Sequence, residues 1–125
     1  MNVKRTEQGW GGHFCGAFEC LFRRNTLLEY NDTRVVVSTV GAWKTQDARG
    51  DWEFETMSGR YYETMVFHAK QVQEIYWDVD VTRQIHFDSP WTIDKIDNDT
   101  DMKANDMHEK VVDEFIWKLK TGVNL

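Results

Sequence analysis

Residues 103–122 read KANDMHEKVVDEFIWKLKTG, and this stretch determines which class of fold the chain can adopt. Its apolar residues recur at steps of three and four, which is the period of an α-helix with one apolar side. Acidic residues crowd its start, Lys118 and Lys120 lie in the last turn, and Gly122 follows, an order that suits the helix dipole and a glycine stop. The stretch therefore predicts an amphipathic helix whose apolar side consists of Ala104, Met107, Val111, Phe115 and Leu119.

The sequence before this helix has the features of β-strands. Residues 20–30 and 34–43 flank an Asn-Asp-Thr turn, and the second of these runs is rich in Val and Thr, which favours a β-hairpin. Residues 60–70 and 74–87 predict a second hairpin, because apolar and polar side chains alternate in the latter run. We also expect an exposed loop at 44–51, a short strand at 52–57 and a short helix opening at 88–93.

The order of these elements, strands first and a helix last, indicates an α+β fold. The connections between strands are too short for parallel crossovers, so the sheet is expected to be antiparallel, with about four to six strands and two hairpins, packed against the C-terminal helix. A chain of 125 residues has the usual size of one domain. No linker or internal repeat divides it, so we expect a single domain over residues 1–125.

Charge and composition limit the classes of function. The net charge is −6, which argues against direct nucleic-acid binding because such proteins need a basic face. Residues 88–114 alone hold nine acidic residues and three lysines, which permits binding to a basic partner. The start of the chain lacks a secretory signal, and no apolar run is long enough to cross a membrane, so we expect a cytoplasmic protein without membrane association.

The stretch GWGGHFCGAFEC, residues 9–20, could hold a metal ion. His13, Cys15 and Cys20 are zinc ligands by type, but their spacing lacks the second close pair that a structural zinc site usually has. A reactive thiol is another interpretation, and in the cytoplasm both cysteines would be reduced. We favour a third interpretation, the crowded start of a sheet in which the cysteines are small buried side chains. No cofactor is predicted.

Two further groups of residues could carry chemistry on the predicted sheet. If the second hairpin turns at 71–73, His68, Asp78 and Asp80 share one face, where they could act as a general acid/base group or hold a divalent cation. The alternative is a solvated polar face, which antiparallel sheets normally have. Arg23 and Arg24 point to opposite faces of their strand, so one is expected to be partly buried and paired with Asp78 or Asp80, or to form a phosphate or carboxylate clamp.

The predicted helix also carries a row of acidic residues opposite its apolar side. Asp106, Glu109 and Asp113 recur at steps of three and four, and Asp99 and Asp101 precede them. Like charges this close destabilise a helix unless something balances them. One hypothesis is that the row presents carboxylates to a basic groove of another protein. The alternative is a solvated helix face.

Three stretches resemble small proteins encoded by bacteriophages and prophages for which no activity is assigned: residues 9–29 with 34–41, residues 60–69 and residues 104–115. This resemblance implies a bacterial cytoplasm as the setting, and it implies no catalytic residue. Small acidic phage proteins often bind host machinery, so the resemblance favours a non-enzymatic protein that binds a basic host or phage protein. Such a protein could inhibit a nucleic-acid-handling or defence protein.

Two other functions stay open from the sequence. One is a small enzyme or ligand-binding domain that uses the face around His68, Asp78 and Asp80. The other is self-association, for example as a homodimer, through exposed aromatic residues such as Trp43, Trp52 or Trp117.

Overall fold

The computed structural model describes the chain over residues 2–9, 12–13, 22–41, 43–46, 49, 52–55, 62–74, 76–88 and 100–125, with the backbone alone described at 43–46, 52–55, 62, 88, 100 and 101. In chain order, the described elements are the strands β1 (Lys4–Gln8), β2 (Arg23–Tyr30), β3 (Thr33–Gly41), β4 (Trp43–Gln46), β5 (Trp52–Glu55), β6 (Tyr62–Gln73) and β7 (Tyr76–Asp88), followed by the helix α1 (Thr100–Thr121).

Five strands form one antiparallel sheet in the order β1-β2-β3-β6-β7, and β4 pairs with β5 in a separate two-stranded ribbon. The α+β prediction is confirmed, because this sheet packs against the single C-terminal helix. Both predicted hairpins are present, as β2–β3 and as β6–β7. Asn31 has a φ of 54° in the turn between β2 and β3, a conformation that asparagine tolerates better than most residues.

Three local predictions differ from the structure. The second hairpin turns after Gln73 instead of at 71–73, because β6 continues to that residue. Residues 44–46 belong to β4 and are not loop. Strand β1 was missed because its sequence, KRTEQ, is polar throughout, as is common for an edge strand that must not pair with other chains. The helix expected to open at 88–93 lies outside the described residues, apart from the end of β7.

One face of the sheet, here called the helix face, packs on α1. Leu28, Val35, Val37 and Val66 of the sheet form one buried cluster with Val111, Val112, Phe115 and Leu119 of the helix. All five residues of the predicted apolar side of the helix are buried. No helix in the described part of the chain is both long enough and apolar enough to cross a membrane.

The other face of the sheet, here called the outer face, carries a second apolar cluster of Leu27, Val36, Phe67, Ala69 and Val79. Residue pairing between β6 and β7 shifts within this region, so that Phe67 pairs with Gln84 whereas Ala69 pairs with Val79. Such bulges bend a ribbon. The Asp78 carboxylate lies 3.1 Å from the Asn25 side-chain nitrogen on β2, although strands three positions apart in a flat sheet are about 14 Å apart. The end of the β6–β7 ribbon therefore folds over the outer face.

Candidate protein-interaction site

The inward side of α1 is fixed to the sheet by a buried histidine. His108 is 0% exposed, its Nε2 lies 2.7 Å from Thr26 Oγ1 and its Nδ1 lies 2.7 Å from Thr39 Oγ1. The Thr26 hydroxyl donates to Glu7 Oε1 at 2.6 Å, so its oxygen accepts the Nε2 proton and the ring is a neutral Nε2–H tautomer. The Nδ1 atom then accepts from Thr39, which in turn accepts from Thr64 at 2.7 Å. Burial lowers the His108 pKa to about 4, which keeps the ring uncharged.

Ion pairs also attach one turn of α1 to the sheet. Arg5 on β1 donates to both carboxylate oxygens of Glu109, at 2.9 and 2.7 Å, and Arg24 on β2 donates to Oε1 at 2.7 Å. Both arginines also contact Glu7, at 2.8 and 2.7 Å. Hydrogen bonds from Arg5 and Arg24 lower the Glu109 pKa to about 2. Glu109 is therefore committed to holding the helix on β1 and β2, and it is not available to a partner in the way the sequence hypothesis assumed.

The outward side of α1 carries the remaining members of the acidic row. Asp106 and Asp113 are exposed, and neither has an ion-pair or hydrogen-bond partner among the described residues. Two large apolar side chains lie on the same stripe, Met102 at 63% and Trp117 at 59% exposure. Because Trp117 lies four residues after Asp113, it is one turn farther along the same side. We call Met102, Asp106, Asp113 and Trp117 the outer stripe.

Lysines interrupt the acidic row. Lys110 lies four residues after Asp106 and three before Asp113, and it is exposed on the same side of the helix. Residues 102–121 hold four lysines and four acidic residues. The negative charge of the segment 88–114 therefore comes mainly from the residues before 102. Asp99 and the side chain of Asp101 lie outside the described residues, as do the side chains of Trp43 and Trp52.

The structure does not bring His68, Asp78 and Asp80 together. His68 Nε2 contacts the Leu125 backbone oxygen at 3.3 Å. Asp78 accepts hydrogen bonds from the Gly12 backbone at 3.0 Å, from Asn25 at 3.1 Å and from the Val79 backbone at 2.7 Å.

Asp80 is half-buried, and the hydroxyl and backbone N–H of Thr82 lower its pKa. The bulges in β6–β7 separate the three residues that a regular hairpin would have aligned on one face. Among the described side chains, no group of three His, Cys, Asp or Glu residues is placed to bind a metal ion.

His13 belongs to a buried polar cluster on the outer face. Its backbone N–H donates to Ser38 Oγ at 2.9 Å, its Nδ1 lies 2.7 Å from the same oxygen, and its Nε2 lies 3.3 Å from Glu63 Oε1. These three residue types can form a nucleophilic triad. Ser38 is 0% exposed, so a substrate has no access to its hydroxyl, and the arrangement serves instead to fix residues 12–13 on the sheet. Cys15 and Cys20 lie outside the described residues.

Arg23 and Arg24 point to opposite faces of β2, as predicted, and both are partly buried. The Arg24 side chain is 18% exposed. Its acidic partners are Glu7 and Glu109 instead of Asp78 or Asp80. Because both carboxylates already use the guanidinium, Arg24 does not form an anion clamp. Arg23 is half-buried at the start of the strand.

Sequence reasoning missed the structural roles of His108, Arg5 and Glu7. His108 was not included in the predicted apolar side of the helix, although its step of four from Ala104 and from Val112 was the available signal that it points inward. Arg5 and Glu7 gave no such signal, because their strand was not predicted. No protein-family model, curated protein sequence or solved structure matches this chain.

Proposed function

We propose that this protein is a non-enzymatic binding protein that docks a basic surface of another protein on the outer stripe of α1. Trp117 is the apolar anchor of the contact, and Asp106 and Asp113 are its charged contacts. Glu109, which the sequence hypothesis included, instead supports the helix from within the fold.

The observation that carries this proposal is the exposure of Trp117. A tryptophan side chain that is 59% exposed on a regular helix leaves a large apolar area in water, and tryptophan is among the residues most often found at the energetic centre of protein interfaces. Met102 is a second exposed apolar side chain, 63% exposed, and it lies about four turns of helix before Trp117 on the same stripe.

The charges of the stripe favour a basic partner. Asp106 and Asp113 make no ion pair within the described part of the protein, so a lysine or arginine of a partner would not displace an existing one. The net charge of −6 adds a long-range attraction for a basic protein and repels nucleic acid. Docking a basic partner also agrees with the phage or prophage setting that the sequence resemblance implies, in which a host or phage nucleic-acid-handling or defence protein would be the target in the bacterial cytoplasm.

The rigid attachment of α1 supports a binding role as well. The ion pairs of Glu109 and the hydrogen bonds of His108 fix the rotation of the helix about its axis, so the outer stripe is presented in one orientation. A surface that is ordered before binding loses less conformational entropy when a partner docks.

The experiment begins with capture of the partner from a bacterial lysate on the immobilised protein and its identification by mass spectrometry. The purified partner is then titrated calorimetrically with the wild type, with Trp117→Ala and with the double variant Asp106→Asn/Asp113→Asn. We expect each variant to bind at least about tenfold more weakly. We also expect the wild-type affinity to fall when salt is raised from about 50 to about 300 mM.

Two matched controls separate this surface from a general loss of charge or apolar area. Glu74→Gln removes one negative charge at the β6–β7 turn, and Val81→Ala trims a side chain that is 61% exposed on β7. Both should bind like the wild type. Equal affinity of all variants, or an affinity that is insensitive to salt, would contradict the proposal. A wild-type dimer in light scattering that Trp117→Ala converts to a monomer would show that the stripe serves self-association instead.

A further inference from the structure

A cavity of about 310 Å³ lies beside the β2–β3 turn, where the folded end of the β6–β7 ribbon meets the sheet. Its lining includes Arg34, His68, Trp77 and Arg83, with Asp32 at the turn. Two guanidinium groups, an imidazole and an indole therefore line one cavity in a protein whose net charge is −6. This cavity lies apart from the outer stripe of α1.

The Arg34 guanidinium is fixed by contacts with Trp77 and Glu29, and its terminal nitrogens are available to bind a ligand. Its guanidinium carbon lies 4.3 Å from the centre of the Trp77 ring, and its Nε donates to Glu29 Oε2 at 2.9 Å. These contacts fix the plane of the guanidinium. They leave its two terminal nitrogens without a hydrogen-bond partner among the described residues, and paired terminal N–H groups are the donors that bind phosphate in a bidentate manner.

Arg83 supplies a second available cation. It is exposed on the bulged part of β7, and no ion pair or hydrogen bond occupies it within the described part of the chain. The nearby carboxylate of Asp80 accepts hydrogen bonds from the Thr82 hydroxyl at 2.6 Å and from its backbone N–H at 3.1 Å, so its oxygens are already partly satisfied. Arg34 and Arg83 can therefore both turn their donors to an anion in the cavity.

The other walls suit the organic part of a ligand. Trp77 offers half-buried apolar surface. His68 donates through Nε2 to the Leu125 backbone oxygen, so in its neutral form its Nδ1 is a hydrogen-bond acceptor. The Asp32 carboxylate can likewise accept from a hydroxyl. The volume is at the lower end of that of small-molecule sites and is larger than one phosphate group requires.

We propose that this cavity is a binding site for a small organic phosphate monoester. Arg34 and Arg83 bind the phosphoryl oxygens, and the wall formed by Trp77 contacts the organic group. The net charge of −6 does not attract anions, so binding depends on these two arginines and not on the overall charge of the protein.

The test uses phenyl phosphate as the probe, followed in amide and indole NMR spectra of the full-length protein, with the Trp77 indole signal identified from Trp77→Phe. We expect saturable shifts of that signal. Arg83→Gln should raise the dissociation constant about tenfold or more, because a charge-assisted hydrogen bond is lost. The matched control is Lys110→Gln, which removes the same charge from α1 and should leave the constant unchanged.

Inorganic phosphate should bind more weakly than phenyl phosphate, because it lacks the group that contacts Trp77. Absence of saturation up to roughly 10 mM phenyl phosphate, or equal constants for Arg83→Gln and Lys110→Gln, would overturn the proposal. Equal affinity for the two phosphates would overturn the role given to Trp77. Equal melting temperatures of the two variants show that a loss of binding is not a loss of folding.

Discussion

The Nε2 atom of His108 on α1 lies 2.7 Å from Thr26 Oγ1 on β2. This contact belongs to a series of hydrogen bonds that joins the helix to the sheet, and the donor and the acceptor of each bond are fixed by the others. This hydrogen-bond chain runs from Thr64 through Thr39 and the imidazole to Thr26, and it ends on Glu7. A side chain of similar size without ring nitrogens would fill the space but leave two buried hydroxyl groups without this partner.

Replacing His108 by leucine should therefore destabilise the protein by about 2–4 kcal/mol, because buried polar groups lose their hydrogen bonds. His108→Gln keeps one donor and one acceptor, so it should lose less. Urea unfolding followed by circular dichroism measures both values. If His108→Leu unfolds at the same urea concentration as the wild type, the hydrogen-bond chain does not stabilise the fold.

The same histidine predicts a pH dependence. Its pKa is about 4 in the folded protein and about 6.5 when unfolded, so between these values the unfolded state binds more protons. The contribution of His108 to the free energy of unfolding should then be fully present well above pH 6.5, and it should fall by about 3 kcal/mol as the pH drops to 4. Urea unfolding at pH 7, 6, 5 and 4 compares the wild type with His108→Gln, which should lack this component. Parallel curves for the two proteins would refute the assignment.

Glu109 and Asp106 lie one helical turn apart and should behave differently. Glu109→Gln removes the ion pairs to Arg5 and Arg24 and should cost about 1 kcal/mol at low salt, since these groups are partly exposed. The cost should shrink in high salt. Asp106→Asn is the matched control and should leave the unfolding midpoint unchanged. A larger effect of Asp106→Asn would contradict the assignment of Glu109 to the scaffold and Asp106 to the surface.

Gly12 has a structural requirement that Gly9 lacks. A Cβ atom at Gly12 would lie 2.6 Å from Ser38 Oγ, and the φ of this residue is +96°. Gly12→Ala should therefore destabilise the protein by about 1–3 kcal/mol through strain and the displaced hydroxyl. Gly9→Ala meets no atom within 4 Å and should be tolerated. Thermal unfolding of both variants measures the difference, and equal melting temperatures would show that residues 12–13 are not held against Ser38.

Much of the architecture could be predicted from the order and period of the residues. The helix was expected over 103–122 and runs from Thr100 to Thr121, and both long hairpins lie where alternation and turn residues placed them. The functional candidates were harder, because they depend on contacts between distant segments. Arg24 was expected to pair with Asp78 or Asp80, and it pairs instead with Glu7 and Glu109.

The sequence by itself determined the α+β class, because the spacing of apolar residues decides which elements form and which side of each strand and helix is buried. Tertiary structure alone decided which charges remain available. The docking of α1 brings Arg5 and Arg24 to Glu109 and leaves Asp106 and Asp113 in solvent, although all three acids look alike in the sequence. The bulges of β6–β7 likewise separate Asp78 from His68 and bring it to Asn25. Local periodicity cannot encode these outcomes, since Coulomb attraction and hydrogen bonding depend on distances that are set only when remote elements pack.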